Sequence, residues 1–351
     1  MLENIVEEAI RHKASDIHMT RGLPPVFRID GQLEQARHFG ILGEEDLRRM
    51  AESLTDKERY IERKYIDTSF VYSQFRFRVH VFRQRESDAI SMRLIPSVIP
   101  SIKELNLPES VHGFVNVKSG LILITGRTGC GKSTTLAAII DDINSNQKKH
   151  IITVEDPIEF LHEHKKSMIN QKEVGKDVLS FADAVRASMR EDPDILLVGE
   201  MRDLETIQNA ITMAETGHLV FGTLHTKSAA ETVDRIIDVF PSNQQGQIRT
   251  QFANVIHGIL SQELIPGLGG GRIPLCEVLI ANNAIRSLIK DNAHPSSIND
   301  QLQMNYRRNG SQSIYQALAH LYREKLIDRD TAFEYAGSND TIREMITGKS
   351  S

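Results

Sequence analysis

Eight consecutive residues, Gly126-Arg127-Thr128-Gly129-Cys130-Gly131-Lys132-Ser133, follow the spacing G-x-x-x-x-G-K-[ST], which suits a loop that holds the phosphates of a nucleotide. Glycines let the backbone turn tightly, so that successive N–H groups and a helix N-terminus face the anion. Lys132 then reaches the β and γ oxygens. Ser133 would help to hold Mg2+, which would offset the charge that develops in phosphoryl transfer. The apolar run LILIT precedes the loop and TTLAAIIDDI, beginning at Thr134, reads as the helix after it. The expected cofactors are therefore ATP and Mg2+. Cys130 reads as a small side chain in a glycine-rich loop, with a redox switch as the alternative.

Carboxylates and a histidine follow other apolar runs. HIITV leads to Glu155, Asp156 and, past Pro157 and Ile158, Glu159; DILLV leads to Gly199 and Glu200; HLVFGTL ends at His225. In an open parallel sheet, ligands sit beyond the carboxyl ends of the strands. Hydrolysis of Mg·ATP needs one carboxylate to support the metal and another to orient the attacking water. Glu200 suits the first role and Glu159 the second. His225 reads either as a sensor of the γ-phosphate or as a histidine satisfied by hydrogen bonds.

These residues require a scaffold of buried strands and covering helices. GLILITG, HIITVED, DILLVGE and HLVFGTLH recur with helical segments between them, as in a parallel sheet covered by helices. Before them, FRFRVHVFR predicts a strand with Phe75, Phe77, Val79 and Val81 on one side and an arginine-rich face on the other. Pro96, Pro100 and Pro108 mark a linker. The expected fold class is α/β, with an N-terminal α+β domain over 1–98, a linker over 99–108, a P-loop ATPase core over 109–280 and a helical C-terminal part over 281–351. The GLGGGR run reads as a hairpin loop. The opening helix, with Leu2, Ile5, Val6, Ala9 and Ile10 at helical spacing, is amphipathic but interrupted by Glu3, Glu7 and Glu8, which argues against an export signal.

A chain of 351 residues, 40% hydrophobic and 25% charged, has the composition of a globular protein of two domains. Its net charge of -5 gives no field that would draw the whole surface to nucleic acid. Two cysteines are too few for a disulfide framework, and a cytoplasmic location is the expectation. No N-K-x-D segment, the guanine reader of a regulatory GTPase, occurs. A nucleic-acid motor would share the loop but calls for a basic tract that this chain lacks.

The segments ITVEDPIEF, LSFADAVRASMREDPDILLVGEMRDLETI and GHLVFGTLHTKSAAETVDRIIDVFP resemble the Asp box, Walker B and His box of the secretion ATPases. ASDIHMTRGLPPVFRIDG resembles the opening of their pilus-retraction branch. The resemblance covers nearly the whole chain and implies a PAS-like first domain, a RecA-like ATPase domain and a homohexamer. It also implies a platform protein of the inner membrane and other pilus motor ATPases as partners, at the cytoplasmic face of that membrane. By motif, Glu159 would be the catalytic glutamate, Glu200 the Walker B glutamate, and His218 and His225 the His-box pair. Arg78 and Arg93 match the family's suppliers of positive charge to the γ-phosphate, although a solvated strand face would look the same. Arg202 would orient Glu200 or make an interfacial salt bridge. Where the retraction branch carries AIRNLIRE, this chain has Ala284-Ile285-Arg286-Ser287-Leu288-Ile289-Lys290-Asp291, and the loss of an arginine puts a bidentate contact in doubt. The absence of a paired C-x-x-C element favours retraction over pilus assembly or type II secretion.

Overall fold

The computed structural model describes residues 1–29, 31–55, 60, 64–73, 75–95, 98–337 and 345–346, with the side chain at 307 left aside. Pro96, one of the linker prolines, lies outside the described residues. Two units make up the chain: Met1–Val98 with Pro157–Leu161, and Ile99–Asp156 with His162–Ser351.

In the first unit, helix α1 (Leu2–Arg11) leads into strands β1 (Asp16–Met19), β2 (Val26–Ile29) and β3 (Gln32–Gln35). Helix α2 (Glu44–Leu54) and strands β4 (Tyr65–Tyr72), β5 (Phe75–Gln84) and β6 (Ser87–Ile95) follow. The strands pair in the order β3-β2-β1-β6-β5-β4, each antiparallel to its neighbours. Alternation puts Phe77, Val79 and Val81 into one core with Leu2, Ile5, Val6 and Ala9 of α1 and Leu47, Met50 and Ala51 of α2. The opposite face of β5 carries Arg76, Arg78 and His80. Segment 157–161, expected with the ATPase core, groups with this unit, where Arg76 Nε donates to the Ile158 carbonyl at 3.0 Å.

The second unit starts with a one-turn helix α3 (His112–Val115), strand β7 (Gly120–Thr125), helix α4 (Lys132–Asn146) and strands β8 (His150–Glu155) and β9 (Met168–Glu173). Then come α5 (Phe181–Ser188), β10 (Ile195–Val198), α6 (Leu204–Glu215), β11 (Leu219–Leu224), α7 (Ala229–Asp238) and α8 (Ser242–Val255). Strands β12 (Ile256–Pro266) and β13 (Arg272–Ile280) form a hairpin, followed by α9 (Asn283–Lys290), α10 (Pro295–Asn309), α11 (Ile314–Arg323) and α12 (Arg329–Ala336). The sheet order is β13-β12-β7-β11-β10-β8-β9.

All four apolar runs became buried parallel strands, but the sheet is not wholly parallel. β13 runs antiparallel to β12 at one edge, because the GLGGG turn at 267–271 is too short for a crossover. β9, the other edge, has the polar sequence MINQKE and gave no apolar signal. Leu121 and Leu123 of β7 and Ile256 and Ile259 of β12 face α5 to α10, while Ile122, Ile124 and Leu260 face α4. The proline-rich stretch is turn-like, and its Ile102 is 2% exposed in the core on the α4 side. Among the described residues no helix is long and apolar enough to cross a membrane.

Candidate active site

The 126–133 loop leaves β7 at its carboxyl end and runs into α4. Gly126, at φ 141°, and Gly131, at φ 91°, hold conformations that disfavour any side chain. Space forbids one as well. A Cβ at 126 would overlap the Gln262 carbonyl oxygen, and one at 131 would press on Gln262 Nε2 at 2.9 Å. Arg127, Thr128 and Gly129 form the exposed side of the loop, while Ser133 and Thr134 are half-buried in the first turn of α4. Lys132 Nζ donates to the carbonyls of Gly126 at 2.7 Å and Arg127 at 3.2 Å, so the ammonium rests on the loop it would share with phosphate. Cys130 is 5% exposed, and burial pushes its thiol up from its ordinary range. That environment is unsuited to a reactive thiolate.

Parallel pairing brings three further strand ends to the same edge. β11 lies between β7 and β10, with Leu224 opposite Thr125 and Gly222 opposite Val198. β8 lies on the far side of β10, with Val154 opposite Val198. The loop and Glu200 thus leave strands two places apart, roughly 10 Å at ordinary strand spacing, and His225 leaves the strand between them. Glu200 is fixed by its neighbours. Gly199 has no room for a side chain against the Val154 carbonyl, 2.9 Å from its ideal Cβ, and Met201, 2% exposed, fills the space that Gly222 leaves. Glu200 Oε1 then meets His225 Nε2 at 2.8 Å and also the Arg202 guanidinium. Both open roles for Arg202 predicted some contact, and the one within the chain is with Glu200. A cavity of about 410 Å3 opens beside this group, lined by Glu200, Arg202, His225, Glu231 and Arg235.

Glu155 ends β8 with Oε1 accepting from Thr153 Oγ1 at 2.7 Å and Gln171 Nε2 at 3.2 Å, and Asp156 beside it is exposed. His218 precedes β11 and so stands at the opposite edge of the sheet from the loop, with Nδ1 3.0 Å from the Met213 carbonyl. Within one chain it is not brought to the loop.

Glu159, Arg78 and Arg93 belong to the first unit. Arg78 Nη1 approaches Glu159 Oε1 at 3.8 Å, and Arg78 pairs directly across the sheet with Arg93. Next in the same row is Asp16, opposite both Arg93 and Arg28. Asp16 accepts from Arg93 Nε at 2.8 Å and from Ser15 Oγ at 2.8 Å. Burial works to raise its pKa, but the bonds from Arg93 and Ser15 outweigh it and hold the carboxyl below its ordinary value. A depressed carboxyl stabilises the fold above the unfolded pKa, about 4, and that contribution fades as pH falls through the lower folded value. Asp16→Asn is therefore expected to cost about 1 kcal/mol at neutral pH, kept small because the Arg93 side chain is 74% exposed. Below pH 3 the difference from the parent should shrink, as read by urea melts along a pH series.

Sequence reasoning missed Asp16 and a second group on β12 and β13. Thr125 Oγ1 meets Ser261 Oγ at 2.9 Å, and Ser261 pairs with Glu277, whose Oε1 accepts from Ala229 N at 2.7 Å at the start of α7. Burial pushes Glu277 up to about 7, and the Ala229 bond opposes the rise. A polar row thus runs from the base of the loop to the helix that follows His225. The available signal was one acid inside the apolar run PLCEVLI.

Of the AIRSLIKD segment, Ile285 and Ile289 are 2% and 1% exposed, and Arg286 Nη1 donates to the Ala253 and Asn254 carbonyls at the end of α8. Ser287, Lys290 and Asp291, the three departures, are exposed. The inward pattern is kept.

Residues 1–270 match the family model described as "Type II/IV secretion system protein". The type IV pilus retraction ATPase PilT of Pseudomonas aeruginosa is 42% identical over 329 residues, covering 92% of this chain and 94% of that protein. The crystal structure of the pilus retraction motor PilT with bound ADP superposes with a TM-score of 0.87 at 47% identity, covering 96% of this chain and 97% of that one. The ATPase DotB of Legionella pneumophila gives 0.85 at 28% identity, with 96% of each chain covered.

Proposed function

The chain belongs to the family of type II/IV secretion system proteins, and from that membership we propose that it is an ATP-hydrolysing motor that drives retraction of type IV pili. The observation that carries this reading is the match to a pilus retraction ATPase along 92% of the chain, and the tight glycine turns of the 126–133 loop, with no room for a side chain at 126, support it.

ATP enters with its phosphates on the N–H groups of residues 128–133, and Lys132 exchanges the Gly126 and Arg127 carbonyls for phosphate oxygens. The residues fit Mg2+ as well: the Ser133 hydroxyl and the Glu200 carboxylate are hard oxygen donors, suited to a cation that keeps several phosphate and water ligands. When bound, Mg2+ neutralises charge on the transferring phosphoryl group. Glu159 takes the proton of the attacking water, and Arg78 and Arg93 face the charge that develops. His225 holds Glu200 at 2.8 Å, ready to report whether the γ-phosphate is present. The working form is a homohexamer at the cytoplasmic face of the inner membrane, passing domain motion to a platform protein alongside other pilus motor ATPases.

Counting surface pili by electron microscopy after deletion of the gene tests the direction of work. Excess pili with loss of twitching, both reversed by complementation, are expected. Bald cells would mean a pilus-assembly motor, and an unchanged count would remove pili from the reading.

A further inference from the structure

Strand β12 supplies one side chain that touches the phosphate loop from below, Gln262, which is 6% exposed. Its Nε2 donates to the Cys130 carbonyl at 2.7 Å, and its Oε1 accepts from Thr135 Oγ1 at 2.8 Å. The orientation of the amide is dictated by chemistry. A carbonyl oxygen only accepts, so the NH2 end must face Cys130, and the Thr135 hydroxyl must then donate to the other end.

From this geometry we infer that Gln262 is a positioning residue for nucleotide binding, acting through the peptide between Cys130 and Gly131. A trans peptide carries its C=O and the following N–H on opposite sides. Tying the Cys130 carbonyl to β12 therefore turns the Gly131 N–H away from β12. The same residue explains both closed glycines. The Gln262 backbone oxygen excludes a side chain at 126, and its amide would have to shift to admit one at 131. Gln262 thus acts as the mould on which the loop is cast before nucleotide arrives, so that binding does not have to order it. This inference rests on the reading of 126–133 as a phosphate loop.

Titration of the full-length chain with ADP by calorimetry, together with thermal melts, separates positioning from packing. Gln262→Leu should weaken ADP binding about tenfold, the size of one lost hydrogen bond to a well-placed donor, and should also lower the melting temperature by stranding the Thr135 hydroxyl. Adding Thr135→Val removes that stranded hydroxyl and leaves the Cys130 carbonyl as the group without its donor. The double variant should regain part of the lost stability while its affinity stays about tenfold weak. Recovery of affinity along with stability would reduce Gln262 to a packing residue and overturn the inference, as would parental affinity in Gln262→Leu. Should the single variant not fold, the double variant alone decides. Lys132→Ala serves as the reference: parental turnover there would sink the phosphate-loop reading itself, whereas parental Gln262→Leu beside an inactive Lys132→Ala would sink only the role of Gln262.

Discussion

Lys132→Ala is expected to lower ATP turnover by at least about a hundredfold, the cost of removing one preorganised donor from a transition state that accumulates charge. The Lys132 ammonium is held by two loop carbonyls, at 2.7 Å and 3.2 Å. Those are neutral acceptors, whereas phosphate oxygens are anionic and form shorter, stronger bonds with the same group. Exchange is therefore favourable only when nucleotide is present, and the lysine is already aimed. Truncation should destabilise the fold by about 1 kcal/mol, since the loop carbonyls lose a donor at a site open to water. The measurement is steady-state phosphate release alongside a urea melt. A variant that folds and turns over at the parental rate would dissociate this loop from hydrolysis.

Glu159→Gln should separate binding from chemistry. The amide keeps the size of the side chain and can still accept from Arg78, which approaches at 3.8 Å, but it can no longer take a proton from water. Loss of a general base costs about 10^2 to 10^4 in rate, while ATP affinity should stay within about threefold of the parent because the groups that hold phosphate are untouched. Single-turnover hydrolysis of prebound ATP, compared with equilibrium binding, reads the two quantities separately. Retained turnover would pass the base role to another acid, with Glu155 and Asp156 the next carboxylates along the chain.

The contrast between these two residues shows what the sequence made legible. The loop could be read directly because its chemistry is local: strand, glycines, lysine and helix are consecutive, and each constrains the next. Glu200 and His225 were legible one step further out, since buried parallel strands are continuous apolar runs and whatever follows them lies at the ligand edge. β12 resisted the same reading. Its sequence IHGILSQELIP is broken by Ser261, Gln262 and Glu263, and Ser261 and Gln262 are buried because they serve the loop and the polar row beside it. A strand that supports a site carries polar residues where periodicity expects apolar ones, so its function hides its structure. Asp16 was obscured differently. It lies 77 residues from Arg93 in sequence, and only the antiparallel pairing of β1 with β6 makes them neighbours.

The grouping of 157–161 with the first unit means that the chain passes between units three times, after Val98, Asp156 and Leu161. The N-terminal unit is therefore no bead that one breakpoint could lift from a string. A chimaera exchanging only residues 1–98 with a relative would pair foreign counterparts of Arg76 and Arg78 with the resident Ile158 and Glu159. Exchange that preserves those contacts has to carry two separate stretches of gene, 1–98 and 157–161.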